Sequence, residues 1–477
     1  MRASITAEQA GVPSVSIVCE GFAGQARATA RGVGFDDLPV AVTTGHVDAQ
    51  GVDEMERNFV TDTVAQIVAG LTGPGAGPSP GGAHVDVAGV AGVAASEPAA
   101  TEVAVTGTID EVNLEFLRRG WSDGLPVIPP TIDRVEAFIA ASGHDPWKRL
   151  GIATTSGRDL TVWSIAVNAV MAGCDPAHLP VLLAVAEILA DPHYGAEHSG
   201  NTTGADALMI LDGPVVTELG FNHGQGALRE GVPANTSVGR WLRLYLRNVF
   251  GFTADEHDKA TFGNPARTVL AEDMAALADV GWAPLSADFG YTAADDAVTM
   301  ARFNSGIIVG SVFGSSPEEI LPYLGDGVAR TAGWDLTHVH GLGQHQFRPL
   351  LVLSPVLART FGRAGWSKDD VRRGLFEHAR IPAWRFEKLI GQWSNLTAGR
   401  PTLSALAAAG HVPEVYARSD DPDRLVPVAT SPDRFMIAVA GDPNRTNAYA
   451  LSNDGPHGDY TTKGIDRSRA TDLLCRI

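Results

Sequence analysis

Between Leu71 and Gly107 the chain carries almost no long side chains: a GPGAGPSPGGA run gives way to a stretch of Ala, Val and Gly. A segment this poor in apolar area cannot offset the entropy lost on ordering, which predicts a flexible linker over 72–107. The break divides the 477 residues into a small unit, 1–71, and a large one, 108–477. In the first unit the pattern predicts strands at 14–18 and 38–43 and helices at 20–31 and 53–71. Met55, Phe59, Val60, Val64, Ile67, Val68 and Leu71 give the last helix one apolar stripe. Two strands and their helices make a poor core alone, so the small unit should lean on the large one or on another subunit.

The large unit opens with Thr108-Ile-Asp-Glu111, a capping-box spacing, followed by Trp121-Ser-Asp-Gly-Leu-Pro-Val-Ile-Pro-Pro130, whose three prolines exclude a continuing helix. Periodicity predicts helices at 131–141, 160–172, 176–190, 236–250, 317–325 and 368–378, and strands at 207–211, 306–312, 350–353 and 435–440. The expected architecture is α/β: a small Rossmann-like α/β unit joined by a flexible linker to a large α/β or α+β domain.

Composition narrows the partners. Thirty-six basic against fifty-five acidic side chains give a formal charge of −19, which repels nucleic acid and anionic lipid. The most apolar helical stretch, 178–191, is too short to span a bilayer, and the first residues lack a signal-peptide pattern. Cys19, Cys174 and Cys475 are three in number with no CxxC spacing, so a disulfide framework is not expected and a cytoplasmic location is.

Three groups of residues could carry chemistry. His338 and His340 form an HxH pair, with His345 five residues on; on a strand such a pair would put both imidazoles on one face, and the three could hold one divalent transition metal. The alternative is that they are polar loop residues among glycines. A second group, Asn201, Thr202 and Thr203, lies in a hydroxyl-rich loop ahead of the strand at 207–211, where either a pocket or an ordinary turn would use them. The third is Asn222 and His223, followed by Asn235 and Thr236 at the start of a helix. Asn235 as N-cap would leave backbone N–H groups for a carboxylate or phosphate. Arg240, Arg243 and Arg247 share one side of that helix and should pair with carboxylates.

Gly11-Val-Pro-Ser-Val-Ser-Ile-Val18 with Cys19-Glu-Gly-Phe22, Trp121 to Thr131, Ala234-Asn-Thr-Ser-Val-Gly-Arg240, Gly365-Trp-Ser-Lys-Asp-Asp-Val-Arg372 and Phe376 to Pro382 resemble the UGSC-type (seleno)protein family. The resemblance runs through both units. It implies redox or carbon–heteroatom bond chemistry and a large-domain pocket around Asp123, Asn201, Thr203, Asn222, His223 and Asn235. The family's U/C-Gly-Ser-Cys loop follows its first strand, and this chain begins at what resembles the family's first helix. Cys19 therefore cannot inherit that loop's role, and as a lone cysteine beside a strand it reads as a small core residue. A small subunit could supply the strand.

We therefore expect an enzyme, of the lyase or oxidoreductase kind, acting on a small polar anionic substrate in small-molecule or specialised metabolism. It would make or break a carbon–heteroatom bond, with Asp123, His223 and His340 in proton transfer and Asn201, Thr202, Thr203, Asn222, Asn235 and Thr236 holding substrate. Two other readings remain: a metal-dependent hydrolase or oxygenase built on the histidines, and a non-catalytic scaffold completing a thiol-bearing partner. A homo-oligomer is expected. Limited proteolysis should cut first within 72–107; protection of that whole stretch in the intact chain would contradict the linker.

Overall fold

Reciprocal caps set where several helices begin. In the computed structural model Thr108 and Glu111 close the expected box: Glu111 Oε2 accepts the Thr108 N–H at 2.8 Å, and Thr108 Oγ1 accepts that of Glu111 at 3.4 Å. The helix Ile109–Arg118 follows. Thr161 with Ser164, Ser316 with Glu319 and Ser367 with Asp370 repeat the device. The structure describes residues 2–32, 35, 37–46, 50–73, 99–254, 257–263, 268–340, 345–392 and 402–468. Most of the expected linker, at 74–98, lies outside these, as does Cys475.

The chain is mixed α/β. Its strands are, in order, β1 (Ser16–Cys19), β2 (Val40–Thr43), β3 (Arg149–Ile152), β4 (Asp159–Thr161), β5 (Asp206–Asp212), β6 (Val269–Ala271) and β7 (Ala297–Val309). They continue with β8 (Leu350–Leu353), β9 (Arg380–Pro382), β10 (Leu425–Pro427), β11 (Met436–Val439), β12 (Ala448–Asn453) and β13 (Thr461–Gly464). Contacts group the chain into two units: Met1–Ala99 with Gly333–Phe347 and Ile381–Thr430, and Ala100–Ala332 with Arg348–Arg380 and Ser431–Ile477.

In the first unit β1 and β2 pair in parallel across the helix Ala23–Gly32, the expected β-α-β arrangement. The Gln66 side chain then finishes the edge of β2: its amide donates to Val42 O at 2.9 Å and accepts from Val42 N at 3.0 Å, as a third strand would. The expected helix at 53–71 is interrupted by a π-helical segment, Phe59–Thr63. Its apolar stripe is largely on the surface, with Val60 66%, Val68 54% and Leu71 45% exposed.

The second unit is built on a seven-stranded mixed sheet of order β11-β8-β12-β7-β5-β6, with β13 also on β7. β5 pairs with β6 and β8 with β11 in parallel; the other pairings are antiparallel. The sheet curls until its two ends meet: Asp273, just past β6, donates its N–H to Val439 O at 2.7 Å. One layer over the sheet holds the helices Val162–Ala172, Leu179–Ala190 and Pro233–Asn248, whose core includes the stacked, buried Trp241 and Tyr245. Among the described residues no helix is long and apolar enough to cross a membrane. Of the strand expected at 306–312, residues 306–309 end the longer β7 and 310–312 lie beyond it; β12 and β13 carry no prior expectation.

Where the sheet's ends meet, charge is buried. Glu272 Oε1 accepts from Val439 N at 3.0 Å and Oε2 from Leu285 N at 2.6 Å, while Asp212, which follows the β5 register beside it, accepts the Ser286 hydroxyl at 2.7 Å. Burial pushes both carboxyls up, and the charge of Glu272 helps carry Asp212 to about 7. The half-buried Lys368 ammonium, donating to Ile437 O at 3.1 Å, is their counter-charge. An Asp carboxyl titrates near 3.9 when unfolded, so between about pH 4 and 7 the folded chain binds the extra proton and stability falls as pH rises. Asp212→Asn should gain on wild type by up to about 4 kcal/mol across that window in denaturant unfolding. A difference that does not change with pH would contradict the assignment.

Candidate functional site

Pro233 occupies the first turn of the helix Pro233–Asn248 and Val232 its N-cap, so the helix begins before the expected 236. Asn235 is consequently not the cap, a correction to the expected anion site on free N–H groups. It is buried within the first turn, where its amide accepts from Asn222 N at 2.7 Å and donates to Asn222 O at 3.1 Å. That pairing clamps the Asn222–His223 loop to the helix. Thr236, exposed on the next position, accepts from Gly231 N at 3.2 Å.

Around this turn lies a cavity of about 200 Å³ whose lining includes Asp123, Arg229, Asn235, Thr236, Arg240 and Arg243. Arg240 grips Asp123 through two bonds, Nε to Oδ2 at 3.0 Å and Nη2 to Oδ1 at 2.9 Å, and Nη2 also reaches Pro126 O at 2.9 Å. Burial raises the Asp123 carboxyl, but the hydrogen bonds and charge of Arg240 outweigh it and hold the group below the ordinary carboxylate range. Asp123 is thus an ionised anchor of Arg240 at neutral pH and a poor proton donor. Arg243 pairs with Asp206, and Arg247 donates to Ser122 O at 3.0 Å. Arg229 is exposed and has no ion-pair partner among the described residues.

His223 Nδ1 lies 3.6 Å from Asp273 Oδ2, and that carboxylate raises the imidazole pKa against the opposing effect of burial. Asp273 Oδ1 meanwhile caps the helix Met274–Val280 through Ala276 N at 2.9 Å, so the carboxylate facing His223 is fixed. His223 O accepts from Gly441 N at 2.8 Å.

Asn201 and Thr203 belong to a different cluster. Asn201 Oδ1 accepts from Gly204 N and Ala205 N, both at 3.0 Å, and from Thr203 Oγ1 at 2.9 Å; its Nδ2 donates to Asp454 Oδ2 at 2.7 Å. Thr202 acts through its carbonyl, which accepts the N–H and hydroxyl of Thr261 at 3.1 and 2.9 Å. Arg243 links this loop to the arginine-lined cavity, since its partner Asp206 opens β5 immediately after it.

The histidine cluster does not lie on a strand. Trp334–Val339 is a 3-10 helix that includes His338, and His340 follows it, so the alternation expected to put both rings on one face does not apply. Both are buried; His345 Nδ1 instead pairs with Thr430 Oγ1 at 2.7 Å. Burial and the nearby charge of His411 push His340 down to about 4. Among the described residues no group of three or more His, Cys, Asp or Glu side chains could hold a metal ion.

The Gly365–Arg372 stretch lines a larger cavity, about 440 Å³, together with Trp282 and Asp288. Its charges are committed: Arg372 bonds Asp288 at 2.5 Å and Asp369 at 2.7 Å. Cys19 ends β1 and is half-buried, a correction to the fully packed core residue expected, whereas Cys174 is buried and its thiol is pushed up to about 12 by burial. Sequence reasoning missed Arg229, which stands beside Glu230 with no motif around it, and Asp454 with His457, whose spacing of three was the available sign.

No curated protein matches the chain. The model of the UGSC family matches residues 1–73; the stretches of the large unit that resemble that family lie beyond the match. Over residues 1–73, the chain is similar to the UGSC family.

Proposed function

We propose that the chain is an enzyme of small-molecule or specialised metabolism that makes or breaks a carbon–heteroatom bond on a small polar anion. The observation that carries this reading is the cavity in which Arg229, Arg240 and Arg243 meet Asn235 and Thr236. Two of these guanidiniums have carboxylate partners, which leaves Arg229 as the one without a paired carboxylate among the described residues, although Glu230 lines the same cavity. In a chain of net charge −19, three guanidiniums around one cavity are a place for an anion, and guanidinium geometry suits a carboxylate or phosphate. Asn235 and Thr236 would orient the substrate, and His223, kept protonated by Asp273 to higher pH than usual, would supply a proton. Carbon–heteroatom chemistry is the class that the resemblance to the UGSC family implies. We include a homo-oligomer in this reading, supported by the exposed stripe of Val60, Val64, Val68 and Leu71.

Thermal unfolding with acetate, malonate, glycine and inorganic phosphate tests the site. At least one anion should raise Tm of the wild type by a few degrees, since ligand at 100 Kd adds about 2.7 kcal/mol. Arg229→Gln should remove most of that rise while leaving the unliganded Tm within about 1–2 °C. No stabilisation by any of the four, or equal stabilisation of wild type and variant, would contradict the proposal.

A further inference from the structure

Asp454 follows β12, just past a shift in its pairing with β7, and its side chain is fully buried. Its carboxylate is held from several directions. Asn201 Nδ2 donates at 2.7 Å, Asn304 Nδ2 at 3.4 Å, and the buried Arg302 has Nε 3.8 Å away. Arg302 is fixed in turn by the carbonyls of Tyr194 and Gly195, each at 3.0 Å, and by that of His457. Asn201 Oδ1 accepts from Gly204 N and Ala205 N, which turns its NH₂ end toward Asp454, and Thr203 Oγ1, 2.9 Å from both Asn201 Oδ1 and Asn304 Oδ1, has one proton to give to either. A buried carboxylate beside a buried guanidinium and two amides is already compensated.

Asp454 nevertheless makes one more contact, to His457 Nδ1, at 3.1 Å from Oδ1 and 3.3 Å from Oδ2. The His457 side chain is 25% exposed, so the ring runs from a buried anion to the surface. The ring of His198 lies 4.8 Å from it, with the planes 33° apart. Burial, then the positive character of His457 and Arg302, keep the His198 pKa below its usual value; Glu197, 4.0 Å from its Nε2, opposes this.

We propose that His457 is a catalytic proton-transfer residue, oriented by Asp454 and flanked by His198, that acts on the hydroxyl of a small polar substrate or on water. With Nδ1–H donated to Asp454, proton exchange with substrate runs through Nε2. Nε2 takes the hydroxyl proton, the oxygen keeps the bonding pair as an alkoxide or hydroxide, and Asp454 balances the imidazolium. Asn201, Asn304 and Thr203 are positioning residues, a more specific part than substrate contact. The assignment adds a proton-transfer group to the enzyme proposed above and rests on that reading for its use, whereas its test reads the pair with no substrate present.

The full chain is treated with diethyl pyrocarbonate at pH 8 and the modified peptides are mapped. His457 should react at least fivefold faster than the exposed His193 in the same sample, and Asp454→Asn should remove most of that advantage. Because a buried charge is altered in that variant, nitrogen-15 NMR of the wild type provides a second reading: neutral His457 should carry its proton on Nδ1. Reaction no faster than His193, or a proton on Nε2, would overturn the assignment. Either result alongside intact anion binding would overturn the proton-transfer role alone, and a reactive His457 without anion binding would overturn the cavity alone.

Discussion

The curled sheet of the second unit depends on a short seam between its two ends. Asp273 N–H bonds Val439 O, and Glu272 reaches across to Val439 N, so both backbone groups of Val439, the last residue of β11, are met by residues just past β6. The seam needs a carboxylate in a dry place, and Lys368 supplies the counter-charge. Removing the Lys368 counter-charge would typically cost about 3–5 kcal/mol, because the carboxylate is left without compensation. The same two residues past β6 also serve the site, for Asp273 fixes His223 and caps the next helix.

β5 connects the seam to the chemistry. Its last residue, Asp212, stands in the buried carboxylate pair, while its first, Asp206, binds Arg243 of the arginine-lined cavity. Immediately before Asp206, the loop carrying Asn201 closes on Asp454. One seven-residue strand therefore holds a structural charge cluster at one end and two candidate functional clusters at the other. Functional groups on loops gain precision when the supporting strand is rigid, and the buried, hydrogen-bonded flanks of β5 provide that rigidity.

Local signals made much of this frame legible. The helix Lys368–His378 and the strand Leu350–Leu353 have the bounds that capping and apolar runs predict, because both signals act within a few residues. β13 was not legible: TTKG has no apolar run, and it is a strand through pairing with β7. Asn235 misled because a proline two residues earlier starts the helix first. The HxH spacing misled because its chemistry depends on strand geometry and the residues fold as a 3-10 turn. Asp123, Asn235 and Thr236 do meet in one cavity, yet Asp123's partner Arg240 makes it an anchor, a relation between distant segments that periodicity cannot express.

The central claim is that the second unit holds a small anion against Arg229 beside Asn235 and Thr236. A crystal structure of the full chain grown with millimolar malonate tests it most directly. The account predicts density for the dicarboxylate in that cavity, with one carboxylate on the Arg229 guanidinium and the Asp123–Arg240 pair intact. Malonate bound elsewhere with this cavity empty, or bound here only by displacing Asp123 from Arg240, would contradict it.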